Sequence, residues 1–165
     1  MTEMDPNLPY AALMRAMRLS GAQGGLLTQA VAARIGLHPT DLECLDVINL
    51  NGAATAGELA RASGLTTGAI TGVIDRLERA GYVARERDPA DRRRVIVRSH
   101  AAASQRVGPF YAGLAQRMAA LCAGYDAASL DLLLGFFTRA TEILRDETER
   151  LRDAPPPNNP QARVE

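Results

Sequence analysis

The chain has 165 residues, 47% of them hydrophobic, and its 19 basic residues are balanced by 19 acidic residues. This length fits one domain or one subunit of an intertwined assembly, and zero net charge argues against a uniformly basic nucleic-acid coat. No apolar run approaches the roughly 20 residues needed to cross a bilayer, and the N-terminus lacks the basic and apolar regions of a secretory signal. We therefore expect a cytoplasmic protein without a membrane partner.

Two helices are predicted in the first third of the chain. The first covers about residues 8–35. The second begins at Thr40, where Thr40 and Glu43 form a candidate capping box, and it ends at Asn51–Gly52. A helical N-terminal region is therefore expected before the more distinctive middle of the chain.

Residues 55–81 have the pattern of two short capped helices. Thr55 and Glu58 suit a reciprocal capping box at the start of the first, and Gly64 suits the left-handed conformation at its end. Thr66 is the natural N-cap of the second helix. The apolar residues of this helix recur at helical spacing and are Ile70, Val73, Ile74 and Leu77. The opposite face carries Gly68, Thr71, Gly72, Asp75, Arg76 and Arg79.

Gly81 ends the second short helix, and a basic hairpin is predicted after it. The runs Tyr82–Arg87 and Arg94–Ser99 are rich in valine and isoleucine and are predicted to be strands, joined by residues 88–93. Residues 85–98 contain six arginines and three acidic residues, and narrow A·T-rich minor grooves of DNA favour arginine. The order helix, turn, helix, strand, loop, strand is that of a winged helix-turn-helix, whose second helix enters a major groove.

Two further helices are predicted after the hairpin. One covers residues 100–123 with a kink at Gly108–Pro109, and the other runs from an N-cap at Asp126 or Ser129 to about Arg152. The apolar positions of the last helix follow helical spacing and are Leu130, Leu133, Leu134, Phe137, Leu144 and Leu151. Long helices outside a compact module need a partner for such stripes, and the simplest partner is a second copy of the chain.

The sequence thus predicts a mainly α fold with a small β-hairpin wing, in which N- and C-terminal dimerisation helices flank a winged helix-turn-helix. The composition of both termini predicts disorder. The expected segments are a disordered N-terminus (1–7), a helical dimerisation region (8–36 and 100–152), a DNA-binding domain (37–99) and a disordered tail (153–165).

A resemblance to the MarR family of bacterial transcriptional regulators lies in LTTGAITGVIDRLERAGYVARERDPADRRRVIV, especially in Asp91-x-Arg93 ahead of a valine-rich strand. It covers residues 37–99 closely and the flanking helices in pattern only. The resemblance implies a two-fold dimer with two winged modules, and this symmetry predicts a palindromic operator with half-sites roughly 34–36 Å apart. It also implies a repressor that a ligand releases, although the residues themselves leave the sign of regulation open.

The resemblance further implies which residues meet DNA. In the family, the first turns of the recognition helix touch bases and a wing arginine enters the minor groove. The matching positions here are Thr66, Thr67, Gly68, Thr71, Arg76 and Arg93. Phosphate contacts are expected from Arg79, Arg85, Arg87 and Arg92, and Asp91 is expected to orient the neighbouring wing arginines. Asp75 would repel phosphate, so we expect it to pair with Arg79 four residues later.

The resemblance implies a small-molecule site as well, because the family binds aromatic acids and other phenolic or lipophilic ligands in a cleft between the dimer helices and the winged module. The candidate polar contacts are Arg15, Arg18, His38 and Tyr111. Each also fits a surface or structural role, and His38 before Pro39 suits the turn into the second helix. The effector and the operator sequence stay open.

We therefore predict a sequence-specific regulator that binds double-stranded DNA as a homodimer. Two alternatives stay open: a winged-helix module for protein–protein contact, and a small-molecule-binding dimer without DNA activity. The sequence has no phosphate-binding glycine loop, metal-ligand spacing or nucleophile motif, so we expect neither an enzyme nor a cofactor or bound metal. Cys44 lies among leucines and suits a small buried hydrophobe, while a redox role for Cys44 or Cys122 stays open.

Overall fold

Six helices and one antiparallel hairpin form the part of the chain that the computed structural model describes, residues 9–154. In chain order the elements are α1 (Pro9–Ile35), α2 (Pro39–Asn51), α3 (Ala56–Ser63), α4 (Thr67–Arg79), β1 (Val83–Arg87), β2 (Val95–Ser99), α5 (Ala101–Cys122) and α6 (Ala127–Asp153). The predicted mainly α fold with a hairpin wing is confirmed. The disorder predicted for residues 1–7 and for residues 155–165 of the tail lies outside the described residues.

Local capping fixes both ends of α3 and the start of α4, as predicted. Thr55 Oγ1 accepts a hydrogen bond from the Glu58 amide at 3.2 Å, and Glu58 Oε2 accepts one from the Thr55 amide at 2.7 Å. Gly64 ends α3 with a φ of 76°, a conformation that glycine adopts without steric cost. Thr66 Oγ1 then accepts from the Ala69 amide at 3.3 Å, so only a short turn separates the two helices.

The start of α2 differs from the prediction. His38 is the N-cap, and its Nδ1 accepts a hydrogen bond from the Thr40 amide at 3.3 Å. Pro39 occupies the first turn, where its fixed φ suits a helix and its missing N–H is not needed. The predicted capping box of Thr40 and Glu43 is therefore wrong, because Thr40 already lies inside the helix.

The hydrophobic core is built around α2, α3, α4 and the hairpin. Val31 of α1 and Val107 of α5 belong to the same cluster, so the winged module shares its core with these two neighbouring helices. The predicted apolar face of α4 is buried in full. The larger buried residues of the cluster are Leu42, Leu45, Ile48, Leu59, Ile70, Val73, Ile74, Leu77, Tyr82, Val83 and Val97.

The wing hairpin is attached to the turn before α3. Strands β1 and β2 pair with Val83 opposite Ser99 and Arg87 opposite Val95. Ala54 extends this sheet, since the Ala54 and Val97 backbones exchange N–H···O bonds of 3.0 and 2.7 Å. An isolated two-stranded hairpin is marginally stable in water, so the bridge to Ala54 helps to hold the wing in place.

The C-terminal helices contain the boundary between two compact units, one ending at Gly113 and one beginning at Leu114, both within α5. Asp126 Oδ1 accepts from the Ser129 amide at 2.8 Å, which selects Asp126 from the two predicted N-caps of α6. No residue of α6 is buried. Its exposed large apolar residues are Leu132, Leu134, Phe137, Ile143, Leu144 and Leu151. None of the helices within residues 9–154 is long and apolar enough to cross a membrane.

Candidate nucleic-acid interface

The first turns of α4 present small polar residues to solvent. Thr66, Thr67, Gly68 and Thr71 are all exposed, and Thr71 Oγ1 donates a hydrogen bond to the Thr67 carbonyl at 3.0 Å. A Cβ atom at position 68 would meet nothing within 4 Å, so packing inside this chain does not account for the glycine. Because a helical glycine costs about 1 kcal/mol relative to alanine, a close approach to an outside surface is a physical reason to keep it.

Arg76 forms a two-point ion pair with Asp41 of α2. Its Nε and Nη2 atoms donate to Asp41 Oδ2 and Oδ1 at 2.9 and 2.6 Å. The Asp41 side chain is 2% exposed and the Arg76 side chain is 48% exposed. The hydrogen bonds to Asp41 raise the pKa of Arg76. Arg76 was predicted to contact bases, whereas in the structure its guanidinium is engaged with Asp41 of α2.

Sequence reasoning missed Asp41. A signal for it exists, because Asp41, Leu45 and Ile48 share the i, i+4, i+7 spacing of one helix face, and all three are buried. A charged residue on an apolar face needs a partner, since an unpaired buried carboxylate is costly. The spacing therefore indicates that Asp41 has a cationic partner, but it does not identify Arg76.

Arg85 of β1 pairs with two carboxylates of α4. Its Nη2 atom lies 2.5 Å from Asp75 Oδ1, its Nη1 atom pairs with Glu78, and its amide donates to Glu78 Oε1 at 3.2 Å. Hydrogen bonds to Asp75 and Glu78 raise the pKa of Arg85. The predicted pair of Asp75 with Arg79 is wrong, because the hairpin brings Arg85 alongside α4, where Arg85 engages both acids.

Hydrogen bonds within the hairpin shape the wing tip. Asp91 Oδ1 accepts from the Arg93 amide at 3.0 Å, and the Asp91 carbonyl accepts from the Arg94 amide at 2.9 Å. Arg87 Nη1 donates to the Arg92 carbonyl at 3.0 Å. In this structure Asp91 therefore orders the backbone of the turn that carries the wing arginines.

Two more arginines, which the sequence analysis did not single out, hold the base of the wing. Arg94 Nη2 lies 3.7 Å from Glu58 Oε1 of α3. Arg98 Nη1 donates to the Gly52 carbonyl at 3.0 Å. Glu58 lies in α3 and Gly52 directly follows α2, so these contacts connect the hairpin to the helices of the module.

Three predicted DNA-contacting arginines lack such neighbours. Arg79, Arg92 and Arg93 are exposed, and within residues 9–154 their side chains form no ion pair or hydrogen bond. Arg79 lies at the end of α4, and the other two lie at the wing tip. The surface from the first turns of α4 to the wing tip, hereafter the reading face, thus combines small polar groups with unengaged cations.

Comparison with known proteins shows the relatives of this chain. The model of the MarR family matches residues 37–95. YcgE, an HTH-type transcriptional regulator of Bacillus subtilis, is 42% identical over 135 residues, which cover 82% of this chain and 88% of YcgE. The chain belongs to the MarR family. It is therefore a DNA-binding transcriptional regulator, and the prediction that it is not an enzyme is confirmed.

Solved structures share the fold of this MarR-family regulator. A MepR mutant from a multidrug-resistant S. aureus clinical isolate has a TM-score of 0.65 at 15% identity, covering 84% of this chain and 99% of the MepR chain. NadR in complex with 4-hydroxyphenylacetate has a TM-score of 0.61 at 19% identity, covering 87% of this chain and 99% of the NadR chain. At these identities the likeness shows the fold alone.

Tyr111 is the effector candidate with the most enclosed surroundings in this MarR-family chain. It is half-buried and packs against the core. Burial and the nearby Asp46 carboxylate raise the pKa of Tyr111, while a hydrogen bond with Thr28 opposes them. Burial, together with Glu43, also raises the pKa of Asp46. Tyr111 therefore stands in a polar cluster contributed by α1, α2 and α5.

The other three effector candidates do not join this cluster. His38 is the N-cap of α2, which is the structural role that the sequence left open for it. Arg15 and Arg18 are exposed on α1. No hydrogen bond or ion pair within residues 9–154 links any of the three to Tyr111, so a common site for the four residues stays a prediction.

Cys44 is a buried core residue of this regulator. It is 1% exposed, and burial raises its pKa to about 11. The thiolate is the reactive form of cysteine, and burial and the raised pKa both disfavour this form of Cys44. This agrees with the interpretation of Cys44 as a small buried hydrophobe. Cys122 is an exposed free thiol on α5.

Proposed function

We propose that this MarR-family regulator is a sequence-specific repressor that binds a palindromic operator as a homodimer and leaves it when a small aromatic ligand binds. The observation that supports this proposal is the composition of the reading face. Small polar side chains at the start of α4 suit base edges, and unengaged arginines suit phosphates and the minor groove. Base contacts specify and phosphate contacts position a protein on DNA.

DNA contacts are assigned to side chains that no carboxylate of residues 9–154 engages in an ion pair. Arg76 and Arg85 are assigned positioning roles, because carboxylates already hold both guanidinium groups. Base contacts are assigned to Thr66, Thr67, Gly68 and Thr71, and phosphate or minor-groove contacts to Arg79, Arg87, Arg92 and Arg93. Neutralising phosphates releases counterions, so the affinity falls steeply as the salt concentration rises.

The apolar residues of α6 support the homodimer. Leu134 is 67% exposed and Phe137 is 54% exposed, and no residue of the helix is buried. Contiguous exposed apolar surface marks an interaction site, and a two-fold dimer covers the same patch on both copies. Such a dimer presents two reading faces to half-sites roughly 34–36 Å apart.

An aromatic or phenolic acid effector is supported by the shared fold with NadR, whose structure holds 4-hydroxyphenylacetate. Tyr111, beside Thr28 and Asp46, offers a hydroxyl at the edge of the core. An effector shifts DNA binding only by its difference in affinity between the two states of the dimer.

Because its target is chromosomal DNA, we place the protein in the cytoplasm. Deleting its gene should raise expression of a reporter behind the operator.

Fluorescence anisotropy at two salt concentrations tests the proposal. The duplexes tile the upstream region of the gene and include a pool selected from random sequences. We expect one palindromic duplex to bind tightly, and Arg93→Ala to weaken it by about 1–3 kcal/mol. Arg34→Ala, at an exposed position of α1, is the matched control and should bind like the wild type. Equal weak binding to every duplex would contradict the proposal and favour a protein–protein module or a ligand-binding dimer.

A further inference from the structure

Asp41 is the one polar or charged residue that is buried within residues 9–154. Its two oxygens accept hydrogen bonds of 2.9 and 2.6 Å from Arg76. The bond crosses 35 residues of sequence and joins α2 to α4, the recognition helix. This polar contact therefore joins α2 directly to the helix to which the proposed function assigns DNA reading.

Stability alone does not explain this ion pair. Removing a carboxylate from water is costly, and replacing a buried ion pair with apolar side chains is often neutral or stabilising. Here the carboxylate is buried while its partner stays 48% exposed. Stability therefore does not require an ion pair at positions 41 and 76.

The ion pair gives the contact between α2 and α4 a preferred orientation. The apolar contacts of Ile70, Val73 and Leu77 hold α4 in the core, but hydrophobic attraction has no preferred orientation. A guanidinium that donates two parallel bonds to a carboxylate has a defined plane and a defined approach. The pair therefore adds a directional constraint on the rotation of α4 relative to α2, beyond the packing of its apolar face.

A small rotation of α4 is enough to disturb reading. Helix side chains end about 5–6 Å from the axis, so a rotation of about 20° moves their polar atoms by about 2 Å. Hydrogen bonds to base edges span about 2.7–3.2 Å and do not survive such a displacement. Long arginine side chains that contact phosphates can follow such a displacement more easily, so their contacts are less sensitive to the rotation of α4.

We propose that Asp41 is a positioning residue for DNA reading, which acts through Arg76 to set the rotation of α4 in the major groove. The pair then contributes to discrimination between duplexes rather than to general affinity. Asp41 is buried and does not touch DNA. Asp41 engages two of the three guanidinium nitrogens of Arg76, so Arg76 is assigned to positioning rather than to a phosphate contact. This inference rests on the proposed sequence-specific binding.

The test compares affinity for the selected operator with affinity for an unrelated duplex of equal length, over a series of salt concentrations. Asp41→Asn leaves Arg76 facing a neutral amide. We expect its operator affinity to fall about tenfold, within the range of one mismatched base pair. Its affinity for the unrelated duplex and the slope of log K against log salt should stay at the wild-type values. Glu43→Gln, at an exposed position of the same helix and without contact to Arg76, should keep the wild-type ratio.

A second variant separates positioning from support of the fold. Asp41→Leu/Arg76→Met replaces the ion pair with apolar side chains, and such replacements are tolerated in other buried pairs. We expect it to keep the thermal midpoint of the wild type and still lose about tenfold in discrimination. A wild-type ratio of affinities in this variant would overturn the proposal.

Two other results contradict the inference in distinguishable ways. If the slope of log K against log salt is smaller in magnitude by about one in the double variant than in the wild type, Arg76 contacts a phosphate directly. A wild-type protein without any preferred duplex would contradict the proposed function itself, and this is seen before any variant is compared.

Discussion

Helices α4 and α6 both carry apolar residues at helical spacing, but these residues meet different surroundings. The whole apolar stripe of α4 is buried, and Leu77 is 0% exposed. No residue of α6 is buried, and Leu144 is 63% exposed. An apolar stripe therefore predicts that a helix will be covered, but it does not say whether the cover comes from the same chain.

The difference follows from the neighbours of each helix along the chain. Helix α4 packs against α2, α3 and β1, and short turns separate these four elements along the chain. Helix α6 follows a long helix and precedes the end of the described chain. Its cover is a second copy under the homodimer proposal. The two helices should therefore respond differently to mutation.

The largest expected effect comes from the covered stripe. Leu77→Ala should lower the free energy of unfolding by about 2–5 kcal/mol, because it removes buried methyl groups and leaves a cavity. Urea unfolding followed by circular dichroism measures this loss. Leu50→Ala is the matched control, since Leu50 is 86% exposed, and it should change stability by less than about 0.5 kcal/mol. Similar losses for the two variants would contradict the description of the core.

The exposed stripe should matter for assembly. Phe137→Asp places a charge on the apolar side of α6, and we expect monomers in sedimentation velocity with thermal stability of the winged module retained. Operator affinity should fall about a hundredfold, because one module loses the benefit of a linked second module. Thr138→Asp is the matched control, because Thr138 shares a helix row with Asp131, Glu142 and Arg145. A Phe137→Asp protein that stays dimeric would place the dimer contact elsewhere.

The comparison also shows which parts of the fold the sequence could predict. The caps at Thr55 and Thr66 were predictable, whereas the sequence left Asp126 and Ser129 as alternatives at the start of α6, where Asp126 is the N-cap. The start of α2 was not predictable, because two capping signals overlap there. Proline is favoured in the first turn of a helix, so Pro39 begins α2 and the signal at Thr40 is not used.

For the candidate site, the sequence could predict which residues of α4 are exposed, but it could not predict the partners of Arg76 and Arg85 in ion pairs. The exposed first turns of α4 follow directly from its buried stripe. Arg85 lies 10 residues from Asp75, and Arg76 lies 35 residues from Asp41. The i, i+4 rule, which predicted Asp75 with Arg79, applies only to pairs within one helix and so does not find partners on other elements. Which side of α4 faces α2 depends on tertiary packing, and so does the role of Arg76.

The smallest expected effect concerns the cap of α3. Thr55→Ala removes the hydroxyl that accepts from the Glu58 amide, and loss of such a cap costs about 1 kcal/mol of unfolding free energy. Thr71→Ala, at an exposed position inside α4, should cost nothing because alanine favours helix interiors. Urea unfolding of both variants at pH 7 measures the difference. A Thr55→Ala loss no larger than that of the control would show that the box contributes no stability.

The same cap predicts a pH dependence with a definite sign. Hydrogen bonds from the Thr55 amide and hydroxyl lower the pKa of Glu58 in the folded protein, compared with about 4.3 for an unfolded chain. The unfolded state therefore binds the proton more readily than the folded state does. Above about pH 4.3 the ionised Glu58 carboxylate stabilises the fold. This contribution disappears as the pH falls through the lower pKa of the folded protein. Because Thr55→Ala removes one of the two bonds, the stability difference between wild type and variant should shrink as the pH is lowered from 5 to about 3. A difference that grew on acidification would mean that Glu58 is stabilised in its protonated form.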